Sequence, residues 1–246
     1  MKNGMQKVAI VTGASRGIGA AIARRLAADG FALLVNYAGR AAEANALVEE
    51  IETTDGRAVA AQADVSDRAA VAQMFEAAVA AFGGVDVLVN NAGVMQLASM
   101  METDDDLFDR QVAINLKGSF NTMREAAKRL RDGGRIINLS SSVVGLYQPT
   151  YGVYAATKVG VEAMTHVMSK ELRGRNITVN AIAPGPTATA LFLDGKPAAL
   201  IEQLSKLAPL ERLGQPEDIA AAVAFLAGPD GGWINGQVLR ANGGVI

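Results

Sequence analysis

Residues 8–26, VAIVTGASRGIGAAIARRL, read in order as a strand, a glycine-rich turn and an amphipathic helix. The opening run is apolar without alternation, as suits a parallel strand covered on both faces. Glycines at 13, 17 and 19 let the backbone approach a phosphate closely, and a helix start offers unpaired N–H groups and the positive end of its dipole. The spacing is G-x-x-x-G-x-G, a variant of the commoner dinucleotide pattern G-x-G-x-x-G. No lysine follows the last glycine, which argues against a phosphoryl-transfer loop. A strand, glycine turn and helix in this order predict the first unit of an α/β fold that holds a dinucleotide.

Working outward, six further runs read as strands: FALLVN (31–36), AVAAQA (58–63), VDVLVN (85–90), RIINLS (135–140), NITVNAI (176–182) and GQVLRA (236–241). Alanine-rich amphipathic segments such as RAAVAQMFEAAVAAFG and REAAKRLRDGG lie between them. This alternation predicts a Rossmann-type doubly wound sheet of about seven parallel strands with helices on both faces, one domain over 1–246. Residues 183–215 interrupt the rhythm with a long, proline-punctuated excursion after the sixth strand. Its Leu191, Phe192, Leu193, Leu200, Ile201 and Leu204 predict a lid over about 187–213 that closes on something apolar. In METDDDLFD, Thr103 with Asp106 three residues on reads as a helix N-cap and not as a metal site.

Composition narrows the chemistry. Half of the 246 residues are apolar and the net charge is −2, so nucleic acid and anionic membrane surfaces are not expected partners. No apolar stretch is long enough to span a bilayer and the start lacks a leader-like pattern, so the expected compartment is the cytoplasm. There is no cysteine, which removes disulfides and thiol chemistry, and the single histidine, His166, reads as a packed helix residue. No metal site is expected. The second strand ends LLVNYAGR, with Asn36 where an acid would grip the ribose hydroxyls of NAD. Arg16 and Arg40 lie nearby, and a missing acid with available guanidinium groups favours a 2′-phosphate, hence NADP(H).

Tyr147, Tyr151, Tyr154 and Lys158 fall on one helix face around YGVYAATK (151–158). Together with TGASRGIG (12–19), NNAG (90–93), INLSSS (137–142) and APGPTAT (183–189), the stretch YAATK makes the whole chain resemble the short-chain dehydrogenase/reductase family. Within that family it is most similar to bacterial reductases of the 3-oxoacyl-acyl-carrier-protein type.

The resemblance implies a tetrad of Asn115, Ser141, Tyr154 and Lys158. Tyr154 would be the general acid, Lys158 would hold the nicotinamide ribose and lower the phenol's pKa, and Asn115 would hold a relay water. The substrate oxygen would bond Ser141, although counting back from VVG gives Ser142 instead. Cofactor contacts are implied at Gly13, Ser15, Arg16, Gly17, Ile18, Gly19, Asn36, Asp64, Val65, Asn90, Ala92, Gly93, Tyr154, Lys158, Pro184, Gly185, Thr187 and Thr189. Asp64 has an alternative reading in the cap of the next helix, where Ser66 or Asp67 would also serve. Substrate contacts are expected at Met95, Gln96, Tyr147, Tyr151, Leu191 and Phe192. A phenol is the proton source this chemistry needs, because hydride delivery to a carbonyl creates an alkoxide, and a nearby ammonium moves the phenol's pKa down. The activity implied is NADPH-dependent reduction of a ketone, either a 3-oxoacyl thioester or another hydrophobic carbonyl compound. Oxidation of an alcohol or polyol, and cofactor binding without catalysis, are the alternatives. The family pattern also implies a homotetramer, with Trp233 in an interface or in the core.

Overall fold

A computed structural model describes residues 6–246; the first five, part of the start read for a leader, lie outside it. The elements run β1 (Val8–Val11), α1 (Gly17–Ala28), β2 (Ala32–Tyr37), α2 (Ala41–Glu52), β3 (Ala58–Gln62), α3 (Arg68–Phe82), β4 (Val85–Asn90) and α4 (Asp105–Gln111). A π-helical turn, Val112–Lys117, then leads into α5 (Gly118–Arg129), β5 (Leu130–Leu139), α6 (Val143–Leu146), α7 (Gly152–Glu171) and β6 (Thr178–Pro184). After it come α8 (Ala190–Leu193), α9 (Ala198–Ser205), α10 (Pro216–Ala227) and β7 (Val238–Ala241).

One sheet gathers every strand in the order β3-β2-β1-β4-β5-β6-β7, and all neighbours pair in parallel. Alternate side chains of each strand enter opposite layers, which is why the strands read as unbroken apolar runs. Ala9 and Val11 of β1 pack with Leu33, Val35 and Val87 against α1, α2 and α10. Ile10 of the same strand joins Leu34, Leu88 and Ile136 on the other face, beneath α3 and α5 and the last turn of α7. The strand order reverses between β1 and β4, so the crossovers on either side diverge and leave a groove at the carboxyl ends of those two strands.

Four local expectations are corrected. The helix through REAAKRLRDGG stops at Arg129, and β5 begins at Leu130. Leu130 is already extended, and Arg175, distant in sequence, donates to the carbonyls of Ala127 and Leu130 and so satisfies the helix end. The cap of α4 is Asp104, which accepts from the Leu107 N–H at 2.8 Å, while Thr103 turns its hydroxyl to Ser99 O. His166 lies on the exposed face of α7 and is not packed. Trp233 is 99% exposed, which rules out the core as its place.

Candidate active site

The glycine turn between β1 and α1 forms the floor of the groove. Gly13 and Gly17 adopt φ of +61° and +55°, in the left-handed region that side chains disfavour. A Cβ on Gly13 would stand 2.9 Å from Ala92 Cα, so the turn lies directly against the end of β4. Three polar residues fix it there. Asn36 Oδ1 accepts from the Gly13 N–H at 3.1 Å, Asn91 Nδ2 donates to Thr12 O and Gly13 O, and Thr12 Oγ1 accepts from the N–H groups of Asn91 and Ala92. The first turn of α1 holds neither a capping side chain nor an acid, so the N–H groups of its first residues, before Ala20 bonds back to Arg16 O, can face an anion, with Ser15, Ile18 and the exposed Arg16 beside them. This cradle suits a pyrophosphate.

Two of the sequence-predicted cofactor residues have their side chains turned elsewhere. Asn36 is buried, and its Nδ2 donates to Ala61 O and Ala63 O. Its side chain therefore braces the glycine turn and does not face a ribose, because the pleat of β2 points it inward. Asn90 is likewise buried, donating to Asn138 Oδ1 at 2.8 Å and accepting from Thr122 Oγ1 at 2.5 Å. Its amide is therefore spent inside the sheet and does not enter the groove. Arg40 is paired with Glu43 at 2.8 Å on the surface. Asp67, not Asp64, caps α3; Asp64 Oδ1 accepts from the Ser66 N–H and hydroxyl, and the buried Val65 packs on Gly118. At the end of β6, Pro184 leads to Gly185, whose N–H donates to Ala241 O at 3.1 Å. Thr187 donates to Gly185 O, and Thr189 caps α8 while its Cγ2 lies against Gly17.

The other predicted cluster sits across the groove. The π-helical turn carries Asn115 inward, where Oδ1 accepts from the Val94 N–H at 2.8 Å and Nδ2 donates to Val94 O and, at 3.4 Å, to Thr157 Oγ1. A Cβ on Gly93 would meet Asn115 Oδ1 at 3.3 Å and Lys158 Nζ at 3.8 Å, so both side chains border the end of β4. Ser141 neighbours Tyr154 closely enough to act on its phenol, and its Oγ accepts from the Val143 N–H at 3.3 Å. Ser142 is buried, donating to Ala183 O and accepting from Asn242 Nδ2, which leaves Ser141 as the serine facing the phenol.

Lys158 Nζ donates to Leu139 O at 2.8 Å and lies 5.5 Å from the Tyr154 ring centroid. Burial dominates both groups. It pushes the phenol up to about 12, opposed by the neighbouring Ser141 hydroxyl and reinforced by Tyr151. It pushes the ammonium down to about 8. The expectation that Lys158 lowers the phenol's pKa is thus reversed in the free chain: the ammonium faces the ring, its proton is given to a carbonyl, and desolvation decides.

The family model described as enoyl-(acyl carrier protein) reductase matches residues 13–246. An Arabidopsis thaliana NADPH-dependent aldehyde reductase-like chloroplastic protein is 43% identical, over 98% of this chain and 94% of its own. A Staphylococcus aureus 3-oxoacyl-[acyl-carrier-protein] reductase is also 43% identical, over 98% of each. The crystal structure of a Burkholderia cenocepacia short-chain dehydrogenase in complex with NADP superposes with a TM-score of 0.93, at 38% identity over 99% of both chains. The chain belongs to the short-chain dehydrogenase/reductase family.

For this short-chain dehydrogenase/reductase, the expected substrate side is more open than the tetrad. Tyr151 meets Tyr154 edge-on, with ring centroids 6.4 Å apart. Met95 is partly buried and Gln96 is held through its backbone by Gln111. Tyr147 is exposed at the rim and, contrary to the expected helix row, ends α6 with a φ of +46°, so it does not share the face of α7 that carries Tyr154 and Lys158. Leu191 and Phe192 lie on α8, and no residue of α8 or α9 is buried. A cavity of about 250 Å³ opens between the base of this segment and the ends of β6 and β7, lined by Gly185, Leu204, Leu210, Arg212 and Asn242 among others. A larger concavity of about 670 Å³ lies between α3 and α5 against Arg68, Glu125 and Lys128, away from all these groups.

Thr12, Asn91 and Thr157 are supporting residues that the sequence reading passed over. The second asparagine of NNAG was a usable signal for one of them, because an amide at the end of a central strand needs several partners.

Proposed function

We propose that this chain reduces a ketone to a secondary alcohol with NADPH, its substrate a hydrophobic carbonyl compound such as a 3-oxoacyl thioester. The observation that carries the reading is the buried cluster of Tyr154 and Lys158, the ammonium 5.5 Å from the phenol ring, with Ser141 beside the phenol and the exposed Gly93 between that cluster and the glycine turn. NADP(H) fits the residues present: the uncapped start of α1 for the pyrophosphate, Arg16 for the 2′-phosphate and Lys158 for the ribose. When bound, the cofactor supplies the hydride.

The chain's own groups do the rest. The carbonyl oxygen takes a place between the Ser141 and Tyr154 hydroxyls, so that charge growing on it meets two aimed donors. Tyr154 then gives its proton to that oxygen. Burial keeps the phenol protonated through the neutral range, which suits the reductive direction. Lys158, close to half ionised near pH 8, steadies the phenolate left behind, and Asn115 holds the Val94 backbone next to Gly93, which borders Lys158. The apolar Leu191 and Phe192, with Leu200 and Ile201, form a lid over about 187–213 whose unburied state suits closure over an apolar substrate.

An oligomer, a tetramer on the family pattern, completes the reading; the exposed Trp233, Phe120 and Val167 support it. Consumption of NADPH with a panel of ketones graded in chain length tests the function. Turnover that rises with apolar chain length is expected, and activity confined to alcohol oxidation would overturn the reading.

A further inference from the structure

Three consecutive residues at the end of β5 each meet a different turn of α7. Ser141 neighbours Tyr154, Leu139 O accepts from Lys158 Nζ at 2.8 Å, and Ser140 Oγ donates to Glu162 Oε1 at 2.5 Å. Residues 154, 158 and 162 lie four apart and so share one helix face. The strand side is fixed in its turn: the Ser140 N–H donates to Ile182 O at 2.7 Å, and Leu139 pairs with Ile182 across the sheet. Ser140 is buried, and a short hydroxyl–carboxylate bond in such a place is of the charge-assisted kind, about twice as strong as a neutral one.

The three contacts fare differently in the reaction proposed above, on which this inference rests. Ser141 and Tyr154 have to admit the carbonyl oxygen between their hydroxyls. Lys158 has to turn donors toward the ribose. Ser140 and Glu162 touch neither ligand and keep their bond throughout. We propose that the Ser140–Glu162 pair is a positioning clamp, which holds α7 in register with β5 while Tyr154 and Lys158 change partners. A helix that slides by a fraction of an ångström carries the phenol away from Ser141, and catalysis is sensitive to displacements of that order.

The test uses Ser140→Ala, Glu162→Ala, the double variant and Glu162→Gln in the full chain. Each alanine change is expected to lower kcat per folded site about tenfold, the scale of one charge-assisted hydrogen bond. KM for the ketone should stay within about threefold, as for a contact made outside the substrate site. The double variant should be no slower than the slower single one, because the two side chains act through one bond. Glu162→Gln keeps an acceptor for the Ser140 hydroxyl and should recover most of the rate.

Amide hydrogen exchange of the free protein supplies a readout without cofactor: residues 139–146 and 152–162 should exchange faster in both alanine variants and not in the glutamine one. Parental kcat in the alanine variants, additive losses, no rescue by glutamine, or a loss of activity matched by loss of folded protein would each overturn the clamp. If the parent reduces no ketone, the reductase reading fails, and unchanged exchange in the alanine variants would still sink the clamp by itself.

Discussion

Tyr154 and Tyr151 sit one helical turn apart with their rings in contact, yet Ser141 acts on the phenol of Tyr154 and not on that of Tyr151. Tyr154→Phe should therefore lose on the order of 10² to 10⁴ in turnover with NADPH binding largely kept, whereas Tyr151→Phe stays active. Equal losses in the two variants, measured by steady-state NADPH consumption, would contradict the assignment. Lys158 gives a second prediction, in stability. Its folded pKa near 8 lies below the usual 10.5, so between those values the unfolded chain binds a proton that the folded chain has released. Stability then rises with pH through that window, and the cost of the buried ammonium is fully present below it. Tyr154 acts in the opposite sense above 10, where the unfolded phenol ionises and the folded one does not. Between about pH 8 and 10, Lys158→Met should flatten the slope of thermal stability against pH, and at pH 7 it should melt higher than the parent. A melting curve that shifts with pH equally in both proteins would refute this.

At the scale of elements, the glycine turn and the lid each invite a separate change. Arg16 stands exposed at the start of α1, whereas Arg40 is engaged by Glu43. Arg16→Ala should cut the preference for NADPH over NADH roughly ten- to a hundredfold while leaving NADH kinetics nearly unchanged, the effect of one charge-assisted bond to the 2′-phosphate. Equal use of both cofactors by the parent would remove the premise. Phe192→Ala on α8 should alter ketone KM and chain-length preference with NADPH affinity intact; binding titrations and a ketone series separate the two.

These elements were legible in unequal measure. The strands showed themselves because both their faces are covered, and the glycine turn because a positive φ demands glycine at 13 and 17. The start of β5 did not, since Arg175 ends α5 from a distant point in the chain. Asn36 and Asn90 were placed at the right strand ends, but pleat and neighbouring donors, invisible in a linear reading, turned their side chains inward. Ser141 could be separated from Ser142 only when Ala183 and Asn242 were seen to occupy the latter.

For the whole molecule, the one tryptophan is a ready probe. Trp233 stands 99% exposed beside the edge strand β7 in the single chain. If assembly covers it, its fluorescence should shift to the blue as concentration rises, and Trp233→Ser should elute later on size exclusion. Emission typical of water at every concentration would place the contacts elsewhere.

The reversal of strand order between β1 and β4 has a consequence for descent. On the proposed reading, loops after β1, β2 and β3 would meet the cofactor phosphates, adenine and second ribose; loops after β5 and β6 would meet the nicotinamide end, the reacting carbonyl and its tail. Away from the contact of Thr189 with Gly17, a substitution on one flank leaves the other flank's chemistry standing, because each set of loops hangs from its own strands of a shared sheet. Cofactor choice and substrate choice are therefore heritable traits that selection can adjust one at a time, and a lineage can exchange its substrate many times without re-inventing the means of reducing it.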